Sequence, residues 1–64
     1  MELHVELGSI MGSMEADAVE LEMLIQTFKN KTSLKAERYL SSALSELRNA
    51  LSDMSDAIFE ITTS

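Results

Sequence analysis

Apolar residues recur along this chain at alternating steps of three and four. In the first half the line runs Leu7, Met11, Met14, Ala18, Leu21, Ile25, Phe28, and in the second Leu40, Leu44, Leu47, Leu51, Met54, Ile58, Ile61. No polar residue interrupts either line. A mean step of about 3.5 residues is the mark of a coiled-coil-like seam between α-helices. Strand-like alternation lasts no longer than His4-Val5-Glu6-Leu7. The pattern therefore predicts two helices and no sheet.

The two lines are separated by the polar break Lys29-Asn30-Lys31-Thr32-Ser33. Asn tolerates the left-handed backbone that ends helices. Thr32 or Ser33 can accept a backbone N–H as the N-cap of the following helix. This places helix 1 at about 3–29, a turn at 30–33 and helix 2 at about 34–61, all in a single domain of residues 1–64. Gly8 and Gly12 each weaken a helix by roughly 1 kcal/mol relative to Ala. Helix 1 therefore has an alternative start near Ser13, with residues 1–12 fraying or ordering on binding.

A short connection makes the helices antiparallel neighbours. The predicted fold is thus an all-α two-helix hairpin, completed by a partner chain or by dimerisation. Its expected core is Leu7, Met14, Leu21, Ile25 and Phe28 against Leu40, Leu44, Leu47, Leu51, Met54, Ile58 and Ile61. Phe28 pairs with Leu40, Leu21 with Leu47, Met14 with Met54 and Leu7 with Ile61.

More apolar residues are present than this seam uses. Leu3, Ile10 and Leu24 flank it on one side, and Val5 and Val19 lie toward the other. Met23, Tyr39 and Phe59 also lie off the seam. One partner helix cannot cover so wide an arc, and this surplus is the expected partner-binding set. Ala36, Ala43, Ala50 and Ala57 recur every seven residues beside the seam of helix 2. Either helix 1 sits on them, or they floor a groove for another helix.

Composition sharpens the expectation of a partner. A chain of 64 residues buries too little surface to be robust alone, and small folds usually carry a disulfide, a metal or a second chain. This sequence has no Cys and one His, so the remaining means of support is association. The absence of Cys and of a basic, then apolar, leader fits a cytoplasmic protein. Apolar runs are far shorter than the roughly 20 residues a membrane span needs.

The formal net charge is −6 and the pI about 4.4, which argues against binding nucleic acid. The charge is unevenly placed. Residues 1–28 hold Glu2, Glu6, Glu15, Asp17, Glu20 and Glu22 with no Lys or Arg. Lys29, Lys31, Lys35 and Arg38 cluster about the turn against Glu37 alone. Beyond them Glu46, Asp53 and Glu60 recur every seven residues. The hairpin is expected to have a basic tip and an acidic open end.

No residue set supports catalysis, and the chain is not expected to be an enzyme or to hold a cofactor or metal. His4 extends the helix 1 seam and reads as a cap on the open end. Ser41, Ser42, Ser45, Ser52 and Ser55 fall on the outer face of helix 2, and none stands in a nucleophile-elbow sequence. Asp53 and Asp56 share a helix face but form a common type of surface pair. Met11, Met14 and Met54 belong to the seam, whereas Met23 belongs to the adaptable surface that methionine makes at interfaces.

Leu21-Glu22-Met23, within residues 20–31, resembles the end of the first helix in the small co-chaperones of bacterial type III secretion, the YscE/PscE type. Residues 39–61, with Leu47, Ala50, Leu51, Ala57 and Ile58, are similar to that family's second helix. The resemblance implies a heteromer with a tetratricopeptide-like chaperone that keeps the needle subunit monomeric before export, with contacts mainly on helix 1. The residues alone leave two other readings open. One is a homodimeric four-helix bundle with a regulatory role; the other is a small acidic inhibitor of phage type that mimics nucleic acid. All three need the seam. Leu47→Asp is expected to abolish helicity in circular dichroism, because it puts an unpaired charge between the helices. Wild-type helicity in that variant would refute the seam.

Overall fold

The computed structural model describes residues 2–63, so the two ends of the expected domain, Met1 and Ser64, lie outside the described residues. Among these, the chain forms helix α1, Leu3–Thr27, and helix α2, Leu34–Thr63. The molecule measures 47 × 15 × 13 Å. A 30-residue helix is about 45 Å long, so the helices lie side by side and the chain reverses between them. The fold is the all-α hairpin that the two apolar lines predict.

Local chemistry fixes the reversal. Phe28 leaves the helical conformation at φ −101°, ψ 13°. Its N–H still donates to the Leu24 carbonyl at 3.0 Å, and its own carbonyl accepts the Lys31 N–H at 2.9 Å. Asn30 takes φ 67°, the left-handed conformation that its side chain tolerates better than most. Ser33, not Thr32, caps α2: its Oγ accepts the Ala36 N–H at 3.0 Å, and its carbonyl accepts the Glu37 N–H at 3.0 Å. Glu37 then reaches back, its Oε1 accepting the Asn30 N–H. The left-handed residue and the first turn of α2 are thereby tied together.

The boundaries shift from those expected. α1 ends at Thr27 rather than near residue 29, because the turn begins at Phe28. Lys29 and Lys31 therefore stand beyond the last turn of α1. α2 runs two residues past Ile61. There the Thr62 and Thr63 hydroxyls donate to the carbonyls of Ile58 and Phe59 at 2.9 and 2.8 Å. Gly8 and Gly12 do not delay α1, which is continuous from Leu3. Leu7, Met11 and Met14, all half-buried, span the glycines and hold that segment against α2.

Two helices make one layer, whereas a stable domain packs at least two. Ala18, 5% exposed, is the one buried residue among those described. Leu7, Met11, Met14, Leu21 and Ile25 are half-buried, as are Leu44, Leu47, Leu51, Met54 and Ile58. Three residues expected in the core fall outside it. Phe28 is 50% and Leu40 40% exposed, and Ile61 is marginally exposed. They form the end layers of the stack, where neighbours exist on one side only, and Phe28 has also left the helix. Glu22 and Arg48 form an ion pair, which sets their chain neighbours Leu21 and Leu47 at one level.

A Cβ added at Gly8 or Gly12 meets nothing within 4 Å. Gly8→Ala and Gly12→Ala should each raise stability by about 1 kcal/mol, through helix propensity alone. Ser33→Ala should lower it by about 1 kcal/mol. Urea titrations followed at 222 nm read both; an unchanged midpoint in Ser33→Ala would remove the cap from the account.

Candidate protein-docking surface

An α-helix turns about 100° per residue, so each side chain can be assigned to a flank of the seam. On α1, Leu3, Ile10 and Leu24 occupy one column at steps of seven, interrupted by Asp17, with Phe28 beside it. The flank of α2 next to this column carries Ala36, Ala43, Ala50 and Ala57. Ala36 and Ala50 are half-buried and Ala43 and Ala57 exposed, so α1 covers this alanine line only in part. Leu3, Ile10, Leu24 and Phe28 are all exposed. Tyr39 stands at the outer edge of the same face near the tip, also exposed.

The opposite face is built differently. α1 contributes Val5, Val19 and Met23, with Gly8 and Gly12 in the same sector. α2 contributes Ser41, Ser45, Arg48, Ser52 and Phe59. Met23, 64% exposed, projects furthest. Between the helices on this side lies an open groove of about 340 Å³, lined by residues that include Ile25, Leu44, Glu22 and Arg48. The ion pair closes one wall, and side chains on both sides of it are about half exposed. A pair so exposed contributes at most about 1 kcal/mol.

The eight residues expected to bind a partner are thus all exposed, but they do not form one patch. Leu3, Ile10, Leu24 and Tyr39 share the leucine–alanine face. Val5, Val19, Met23 and Phe59 share the serine face. No single straight helix touches both sets. The sequence reading omitted Phe28, assigned to the core, and Leu34, assigned to no set. Leu34 is exposed, seven residues before Ser41, and therefore belongs to the serine face.

Asymmetry between the helices is as informative as any single residue. α2 is strongly one-sided, apolar toward α1 and polar outward. α1 is more apolar overall and much less one-sided. The molecule exposes 4950 Å², whereas a compact monomer of 7.1 kDa exposes about 4,100 Å².

His4 is half-buried at the open end, its Nδ1 3.7 Å from a Glu2 carboxylate oxygen. Among the described residues no three His, Asp or Glu side chains gather as metal ligands. No helix among them is long and apolar enough to cross a membrane. No family model, curated protein or solved structure matches this chain.

Proposed function

We propose that this chain is a protein-binding helical hairpin that works as one half of a complex. One observation carries the reading: α1 exposes apolar side chains on both flanks of the single stripe that α2 covers, Leu3, Ile10 and Leu24 on one and Val5 and Val19 on the other. An apolar surface wider than one neighbour covers points to a further neighbour. The missing neighbours therefore lie mainly against α1.

In its more specific form the reading is a cytoplasmic co-chaperone of type III secretion, as the resemblance at residues 20–31 and 39–61 implies. Its partner is then a tetratricopeptide-like chaperone, and the pair keeps the needle subunit from polymerising. The physical fit is that stacked helix pairs form a concave surface, which can enclose the outer side of one helix. Val5, Val19 and Met23 supply that side. Methionine suits it because its unbranched thioether adapts to irregular pockets.

Co-expression with such a chaperone is expected to give a complex that survives size exclusion. Met23→Asp should keep the helicity of the hairpin and weaken the complex by at least about a hundredfold, since it buries a charge without a partner. Isothermal titration calorimetry reads the affinity. Unchanged binding by Met23→Asp would remove this flank from the interface, and no complex with the wild type would end the co-chaperone reading.

A further inference from the structure

The leucine–alanine face lies opposite Met23 and has its own features. Its exposed apolar residues, Leu3, Ile10, Leu24 and Phe28, extend along nearly the whole of α1. Ala43 and Ala57, also exposed, leave a shallow trough beside them on α2. Small side chains there allow another helix to approach closely.

Charge identifies the occupant. Along its 47 Å the hairpin is polarised. The tip carries Lys29, Lys31, Lys35 and Arg38, and the open end Glu2, Glu6, Asp56 and Glu60. A rod of this kind complements itself when a second rod is reversed against it. Reversal about Asp17 sets Lys29 within one residue of the level of Glu6 of the second copy, and Lys31 within one residue of the level of its Glu2. The unreversed arrangement would stack four cations on four cations. At physiological salt the Debye length is about 8 Å. Only charges that come within about that distance across the interface matter, and the end contacts are what distinguish the two orientations.

We propose that a second copy of this chain docks antiparallel on the leucine–alanine face, giving a two-fold symmetric four-helix bundle. Each hairpin supplies the layer that the other lacks. Asp17 interrupts the leucine column near the two-fold axis, where it meets Asp17 of the second copy. That repulsion keeps the dimer weak enough to exchange. Val5, Val19 and Met23 stay exposed in the dimer, so the proposal stands apart from the chaperone reading.

Sedimentation equilibrium of the purified chain tests it. A monomer–dimer equilibrium that weakens as salt rises is expected. Lys29→Glu with Lys31→Glu should weaken it about tenfold or more, as should Glu2→Lys with Glu6→Lys; mixed together, these two variants should dimerise again. All four residues are exposed, and circular dichroism checks that the hairpin persists. Leu24→Asp should abolish the dimer while Met23→Asp leaves it intact. A helical monomer at every concentration would overturn the proposal. So would a dimer that tightens with salt, or one indifferent to both charge reversals. None of these results touches chaperone binding, which Met23→Asp reports separately.

Discussion

The rest of the structure depends on a single line of contact. Two helices can share only one seam, and each seam residue has solvent on at least one flank. Leu51, at the centre of its line, is therefore only half-buried. Complete burial of a leucine is worth about 1.5–3 kcal/mol, and half-burial yields correspondingly less. Ordering each residue costs about 1–2 kcal/mol of backbone entropy. A seam of ten half-covered side chains and one buried alanine sets a low ceiling on the stability of the isolated hairpin. That ceiling is a consequence of its geometry before any question of biology arises.

The turn determines which residues share the seam. Were Asn30 unable to adopt φ 67°, α1 would run on and α2 would start out of phase. Ser33 sets where α2 begins, and Glu37 ties that point to Asn30. The Glu22–Arg48 pair then levels the middle of the helices, although its exposure makes it a marker of register more than a source of stability.

Much of this was legible in the sequence because it is periodic or local. The seam follows from steps of three and four, and the cap follows from the chemistry of Asn30 and Ser33. What failed to be legible needed information from across the molecule. Phe28 is in phase with the seam, but the phase cannot register that the chain leaves the helix there. The start of α1 near Leu3 was legible, but Gly8 and Gly12 kept a later start near Ser13 open, since propensity counts their backbone entropy and not the contacts of Leu7, Met11 and Met14 with α2. The apolar surplus was visible as a set of eight residues. The two flanks of α1 were visible too, Leu3, Ile10 and Leu24 on one and Val5 and Val19 on the other; which flank Met23, Tyr39 and Phe59 join was not, because that acquires meaning only when the neighbouring helix supplies alanines on one side and serines on the other.

The two helices then have different tasks. α2 turns mostly serines and charges outward, with Leu34, Tyr39 and Phe59 the exposed exceptions. α1 keeps a narrower polar column, Glu6, Ser13, Glu20 and Thr27, between two apolar flanks. Held by α2, it presents its spare apolar surface in one fixed geometry. The entropy of ordering α1 is lost when the hairpin folds and is not charged again when a neighbour docks, so more of the interface energy appears as affinity. The same reasoning explains why the surplus lies on the less one-sided helix. On the proposed reading, burial on two flanks requires apolar residues on two flanks, and the mostly polar outer side of α2 offsets that surface in water.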